Sequence, residues 1–140
     1  MIRNVFAIVA GILVVGVVVT GLQYLTSMLY PLPEGLDPLD PASSGEFAEY
    51  VANLPPMAWL LALVSELVGV SLGAFAAGSI ASSRKALFAG AIVALGIAGS
   101  VMNWMSFPHP VWFIVIQLAA YPLIYFVVTR RIAATDTVTV

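Results

Sequence analysis

The sequence contains no cysteine, a single histidine and few charged residues. Without cysteine the chain can form neither a disulfide nor a thiolate metal site, and one histidine excludes motifs that bind metal through a histidine pair. Charged residues make up only 9% of the chain and hydrophobic residues 61%, whereas soluble domains average about 25% charged and about 45–50% apolar residues. A water-soluble fold of 140 residues could not cover so much apolar surface, so lipid is the expected solvent.

Signatures of catalysis and of nucleic-acid binding are also missing. The sequence shows no nucleophile–base pair, no glycine-rich phosphate loop and no basic groove. We therefore expect no enzymatic activity, no cofactor, no bound metal and no nucleic-acid partner. The lipid bilayer is the partner that the composition predicts.

Four long apolar runs occupy most of the chain, at about residues 5–30, 56–82, 86–107 and 110–129. About 20 apolar residues suffice to cross a bilayer as a helix. The runs are continuously apolar rather than alternating, which argues against barrel strands. The first run is too long for a signal peptide and lacks a small-residue cleavage site. We predict an all-α membrane protein, a four-transmembrane-helix bundle that forms a single domain over residues 1–140.

The charged residues predict an orientation. With four spans, all five basic residues fall on one side of the membrane, and the positive-inside rule places that side in the cytoplasm together with both termini. The outer loop, about residues 31–55, carries five of the seven acidic residues and no basic one. The basic residues are Arg3, Arg84, Lys85, Arg130 and Arg131.

The second half of the outer loop has the pattern of a short amphipathic helix. Ser43 and Glu46 have the spacing of a capping box. One apolar face follows at helical spacing. We predict a helix that lies on the outer membrane surface or over the mouth of the bundle, with a plain surface loop as the alternative. The apolar face consists of Phe47, Tyr50, Val51 and Leu54.

Small residues at steps of four predict how the spans pack, because helices in lipid associate through close backbone approach. The second and third spans each carry such a stripe, so we expect these two spans to form the tight centre. The fourth span is rich in bulky residues and should lie at the periphery, bent at Pro122. The stripes are Gly69, Gly73 and Ala77 in the second span and Gly90, Ala94 and Ala98 in the third.

Three tryptophans, Trp59, Trp104 and Trp112, lie near the outer ends of their spans. Tryptophan is enriched at membrane–water interfaces, where the ring meets the headgroups. We therefore predict that these residues form an aromatic belt that anchors the protein.

Glu66 is the one charged residue inside a span. Inserting such a group costs about 2.5–3.5 kcal/mol on insertion scales, which makes it a functional-site hypothesis by default. It shares a helical face with the small-residue stripe of its span and should therefore point into the bundle. Gln23, Asn103 and Gln117 fall at similar depth. We predict a polar cluster of these four residues in the outer half of the membrane.

Two interpretations of Glu66 stay open. In the functional one, the carboxyl binds a proton or recognises a cation in a pocket, and low dielectric keeps it neutral until a cation or proton acceptor arrives. In the structural one, the carboxyl ties helices together with Gln23 or Gln117 as its partner. Interhelical hydrogen bonds of this kind are worth about 0.6–2 kcal/mol.

Residues 30–37 (YPLPEGLD) and 107–113 (FPHPVWF) resemble a group of small uncharacterised bacterial four-helix inner-membrane proteins. The resemblance implies a multi-pass protein of the bacterial inner membrane and brings no known activity. The chain is also similar in size and chemistry to the small multidrug exporters, which have four helices and a membrane-embedded glutamate. Their glutamate lies in the first helix, however, whereas Glu66 lies in the second span, so no site is carried over.

Two functions from different classes therefore remain. The first is an interaction or accessory protein, either a homo-oligomer or part of a larger membrane complex. The second is a small proton- or cation-coupled transporter or ligand-binding protein that uses Glu66.

Overall fold

The computed structural model describes residues 2–38 and 40–138, with side chains as far as residue 135. The described residues form helices and no strands. Four helices are long and apolar enough to cross a membrane, so the predicted all-α bundle of four apolar helices is confirmed. The elements are α1 (Ile2–Leu29), a 3₁₀ turn (Pro41–Ser43), α2 (Ser44–Ala52), α3 (Pro56–Ile80), α4 (Lys85–Ser106) and α5 (Val111–Val138).

The last helix continues beyond its predicted end. The fourth apolar run was predicted to end near residue 129, but α5 extends to Val138. Ile132 is buried against α3 and α4, and the guanidinium of Arg130 lies 4.3 Å from the centre of the Phe126 ring. Because buried contacts and a stacked cation hold the segment after the apolar run, the helix does not end where the hydropathy falls.

The tight centre of the bundle is not the predicted pair. Helix α3 contacts each of the other long helices, and its most extensive contact is with α1 rather than α4. The stripe of α3 explains this. A Cβ atom at Gly73 would lie 2.7 Å from the carbonyl oxygen of Gly11, and a Cβ atom at Gly69 would overlap Val19. Gly11 in turn lies against Ala77. The small residues of α3 therefore admit the backbone of α1.

The stripe of α4 does not make the predicted contact with α3. Gly90 packs against the ring of Tyr125 in α5, while Ala94 and Ala98 are exposed. Helix α4 instead approaches α3 through Gly96, which lies against Val70. A small-residue stripe marks a face that can be approached closely, but it does not select the partner.

Helix α5 is not peripheral. It places five residues in the interior, whereas α1 has only Ala7 and Gly11 buried. Pro122 lies inside α5 on an exposed position, so its ring faces away from the core. Bulky side chains fill the centre of the bundle here, and the helix that is most exposed is α1. The buried residues of α5 are Phe113, Gln117, Tyr121, Val128 and Ile132.

One end of the bundle, called the basic end, carries all five basic residues. Arg3 Nε donates to the carbonyl of Ile80 over 2.6 Å, and Asn4 Oδ1 accepts from the backbone N–H of Ser82 over 2.9 Å, so α1 is tied to the α3–α4 turn. A Cβ atom at Gly78 would meet both the Lys85 carbonyl and Ile132 of α5. The basic end comprises Arg3, Arg84, Lys85, Arg130 and Arg131.

Helix α2 lies over the opposite end, called the α2 end. Val51 is buried with residues of α3 and α5. The Phe47 ring meets the Phe107 ring edge-on at 5.2 Å, and the Tyr50 hydroxyl donates to the Tyr30 carbonyl over 3.2 Å. The predicted apolar face of α2 therefore packs against the protein.

The capping-box prediction for this helix is wrong. Ser43 precedes α2 but makes no side-chain capping bond. The 3₁₀ turn takes that role instead, because Asp40 Oδ1 accepts from the backbone N–H of Ala42 over 2.9 Å. The chain enters α2 from an already helical turn, so the first N–H groups need no serine cap.

Candidate functional site

A cavity of about 590 Å³ lies between α1, α3 and α4. Helix α3 forms its floor and places Glu66 there, while Gln23 of α1 and Asn103 of α4 line the two walls. Among the long helices that meet, α1 and α4 share the least contact. The cavity is therefore a groove that opens between α1 and α4.

A second cavity of about 260 Å³ lies beneath α2. Its lining includes Val51 of α2, Trp59 of α3 and Phe113 of α5. Glu66, Gln23 and Asn103 line this cavity as well as the groove. The three predicted polar residues therefore stand where the space beneath α2 meets the groove.

Glu66 connects three helices through one of its oxygens. Its Oε1 atom accepts a hydrogen bond from Ser100 Oγ of α4 and another, over 3.1 Å, from the hydroxyl of Tyr121 in α5. Ser100 and Tyr121 are almost completely buried, at 0% and 1% exposure. The carboxyl is thus held from two sides by hydroxyl groups that bulk water does not reach.

A directed chain of hydrogen bonds supplies these hydroxyl donors. The Trp104 indole N–H donates to Gln117 Oε1 over 3.0 Å. An indole nitrogen can only donate, so this bond fixes the orientation of the Gln117 amide. Gln117 Nε2 then donates to Ser100 Oγ over 3.1 Å and to the Tyr121 hydroxyl over 3.3 Å. Because both hydroxyls accept from Gln117, their own protons point away from it, towards Glu66, the Gly96 carbonyl or the other hydroxyl, which lies 2.5 Å away.

The second carboxyl oxygen, Oε2, is differently placed. No hydrogen bond joins it to any residue that the structure describes. Within that same part of the chain, every buried side-chain nitrogen or oxygen has a partner. Oε2 is therefore not buried, and Glu66 lines the two cavities, so this oxygen is open to them. It is the atom of the site that can take up a proton or a cation.

The predicted cluster divides into two groups. Gln117 is fully buried and belongs to the hydrogen-bond chain that holds Glu66. Gln23 and Asn103 are exposed to the cavities and do not bond to Glu66. The structural interpretation named Gln23 or Gln117 as the partner of Glu66, and this is corrected, because Ser100 and Tyr121 bond to it directly.

Asn103 is bound to the one histidine instead. His109 Nδ1 lies 2.7 Å from the Phe107 carbonyl, which can only accept, so Nδ1 carries a proton. His109 Nε2 then accepts from Asn103 Nδ2 over 3.3 Å. The histidine ring packs against Trp59 at 4.9 Å between ring centres. The hydrogen bond to His109, at the α2 end, therefore orients the Asn103 amide.

Sequence reasoning missed three members of the site: Ser100, Trp104 and Tyr121. A signal for them exists in the spacing. Ser100 and Trp104 are four residues apart in α4, and Gln117 and Tyr121 are four apart in α5. Residues four apart share a helical face, so each pair presents two polar groups to the same side of its helix.

The aromatic-belt prediction is corrected for two of the three tryptophans. Trp59 is buried against Phe113 and His109, and the half-buried Trp104 donates into the Glu66 network. Trp112 alone is exposed, at 39%. The rings of Trp59 and Trp104 therefore pack within the α2 end of the bundle.

The fold and the site define a class. The four long apolar helices are those of a multi-pass α-helical membrane protein, and the bundle holds a carboxyl at the floor of a groove. No known family, curated protein or solved structure matches the chain. Within the described residues, no three histidine or carboxylate side chains come together in a way that could hold a metal ion.

Proposed function

We propose that this chain is a small multi-pass membrane protein that binds a ligand in the groove between α1 and α4, with Glu66 as its proton- or cation-binding group. One observation carries the proposal. Oε1 of Glu66 is held by two hydroxyl donors, while Oε2 is open to a cavity of about 590 Å³. A proton and a cation on Oε2 exclude each other, so ligand binding is coupled to proton release.

The charge of Glu66 is not needed to join the helices. The tie runs through Oε1 alone, and the carbonyl oxygen of a glutamine could accept the same two hydroxyl bonds. A carboxyl inside a membrane span costs more to insert than an amide that serves the same contacts. A carboxyl with one unsatisfied oxygen facing a cavity is therefore better explained by binding than by packing.

The same proposal includes a location and an orientation. The basic end lies in the cytoplasm with both termini, and the α2 end lies outside, because basic residues near spans are retained on the cytoplasmic side. All five basic residues at one end and five acidic residues in the segment over the other support this orientation. The membrane is the inner membrane of a bacterium.

A second candidate function, an accessory or self-assembling membrane component, has support from α1. This helix buries only two residues in the bundle. A Cβ atom at Gly16 or Gly21 would meet nothing within 4 Å, and both positions are exposed. Another helix could approach the α1 backbone at either glycine, and a homo-oligomer or a larger membrane complex would use such an exposed part of α1.

The variant Glu66→Gln tests the proposed function. Protein in lipid nanodiscs is titrated with acid while infrared spectroscopy follows the C=O stretch of protonated carboxyl groups. We expect the wild type to gain a band that Glu66→Gln lacks, because Oε2 is accessible for protonation. The matched control is Glu46→Gln, which removes an exposed carboxyl of α2 and should keep the band.

Stability measured on the same samples separates folding from binding. Glu66→Gln should unfold at nearly the same denaturant concentration as the wild type, since the bonds from Ser100 and Tyr121 are retained. Identical infrared titrations of wild type and Glu66→Gln would show that Glu66 does not exchange a proton, and the proposed function would then be rejected.

A further inference from the structure

The groove between α1 and α4 changes in polarity along its length. Its lining runs over residues 12–23 of α1 and residues 92–103 of α4, which corresponds to about 17 Å at the rise of an α-helix. The end near α2 carries the polar groups Thr20, Gln23, Glu66 and Asn103. The other end is aliphatic, lined by Ile12, Val15, Ile92 and Leu95.

This change from polar to aliphatic lining matches one leaflet of a membrane, which is polar at its surface and apolar at depth. The polar part lies towards one end of the bundle, and the aliphatic part lies deeper along the same helices. A molecule with one polar head and one hydrocarbon chain matches both parts when its head lies near Glu66 and its chain extends between α1 and α4. The gap between these helices gives such a molecule a path from the lipid, because they share so little contact.

The charge of the site selects the head group. Glu66 is the only ionisable residue that lines the groove, and no lysine or arginine does so among the described residues. An anionic head would meet the carboxylate without a compensating cation at low dielectric. A head with a positive charge and N–H donors would instead pair with Oε2, the carboxyl oxygen without a protein partner.

We propose that the groove is a binding site for a single-chain amphiphile with a cationic amine head, which enters from the lipid between α1 and α4. The proposal rests on the proposed function, since it names the ligand that displaces the proton from Glu66. The apolar walls of the groove bury the CH₂ groups of the hydrocarbon chain. Because membrane lipids also carry hydrocarbon chains, the head group determines which amphiphile the groove selects.

Three amphiphiles of equal chain length test this. Dodecylamine, dodecanol and dodecyl sulfate are each titrated into the full-length protein in mild detergent, and native mass spectrometry counts the molecules retained per chain. We expect one dodecylamine to be retained, with an affinity at least about tenfold above those of the other two, because only its head pairs with Glu66. Glu66→Gln should abolish this preference.

A matched pair of glycine variants locates the site. Gly99 lines the groove, and Gly21 lies on α1 outside the groove lining; a Cβ atom at either position meets nothing within 4 Å. Gly99→Leu should weaken dodecylamine binding by at least about tenfold, because the leucine side chain fills the part of the groove beside Glu66 that the head and the adjoining CH₂ groups would occupy. Gly21→Leu adds the same side chain and should leave binding unchanged.

The other outcomes overturn the ligand class. Equal retention of dodecanol would identify an uncharged chain as the occupant, and stronger retention of dodecyl sulfate an anionic lipid. A particle of two chains that retains no amphiphile would identify a second copy. If dodecylamine is not preferred although the infrared band of Glu66 titrates, only the ligand class is rejected. If that band is absent, the proposed function itself fails.

Discussion

The site depends on the direction of individual hydrogen bonds. Trp104 can only donate, and the Gln117 amide both accepts and donates. The hydroxyls of Ser100 and Tyr121 accept from Gln117 and donate to Glu66. The hydrogen-bond chain therefore runs in one direction, from the donor of an indole ring to the acceptor of a carboxyl group. Every buried side-chain donor and acceptor within the described residues has a partner, which is the condition under which a buried polar network stabilises a fold.

Trp104→Phe tests the start of this chain. The ring volume is nearly retained, but Gln117 Oε1 loses its donor, and Gln117 is fully buried. An unsatisfied buried acceptor costs about 1–3 kcal/mol, so unfolding in mixed micelles should show a loss of that size. Trp112→Phe is the control, because Trp112 is 39% exposed and makes no bond in the network. This variant should unfold like the wild type. Equal effects of the two variants would contradict the directed chain.

At the scale of helices, composition predicts which segments cross the membrane. The four apolar runs became α1, α3, α4 and α5 because lipid admits only segments whose backbone is bonded internally. The choice of partner was not predictable in the same way. Gly73 marks a face of close approach, but whether α1 or α4 occupies that face depends on all side chains of both helices.

The candidate site was predicted in part. Glu66 stood out because a charge in a span is rare, and Gln117 because an amide at that depth needs partners. Ser100 and Tyr121 were missed because a serine or a tyrosine in an apolar span has several ordinary roles, such as bonding to its own helix or anchoring at an interface. Only the packing of α4 and α5 around α3 brings them to the carboxyl.

Helix α2 is attached to the bundle chiefly through one side, and adjacent residues test this. Val51 is buried against α3 and α5, whereas Ala52 is exposed. Val51→Asn should place an unsatisfied amide in that contact and loosen α2, so that the amides of Ser44–Ala52 exchange with deuterium faster than in the wild type. Ala52→Asn carries the same amide into solvent and should leave exchange unchanged. Faster exchange in both variants would indicate that α2 is held by its own helicity alone.

The whole molecule is polarised along the bundle. The basic end holds every lysine and arginine, while the segment that leads over the α2 end holds five carboxyl groups. Helix α5 is 28 residues long, about 42 Å at the rise of an α-helix, and thus exceeds a hydrocarbon core of about 30 Å. Its extra turns contain Arg130 and Arg131, so the helix carries two positive charges beyond the apolar run.

This polarity predicts the orientation in the membrane, and the lack of native cysteine makes the test simple. Gly45 of α2 and Ser83 of the α3–α4 turn are both exposed and lie at opposite ends. Gly45→Cys should react with a membrane-impermeant maleimide added to intact cells from which any outer membrane has been removed. Ser83→Cys should react only after the membrane is permeabilised, because the proposed orientation places the basic end in the cytoplasm.

The two variants serve as controls for each other, since both thiols should react equally in detergent. The reverse pattern would place α2 and the polar end of the groove on the cytoplasmic side, and the cationic amphiphile would then enter from the inner leaflet. Partial labelling of both variants in intact cells would mean that the chain inserts in both orientations. Five basic residues at one end and none at the other make that outcome energetically unfavourable, so labelling of Gly45→Cys alone is the expected result.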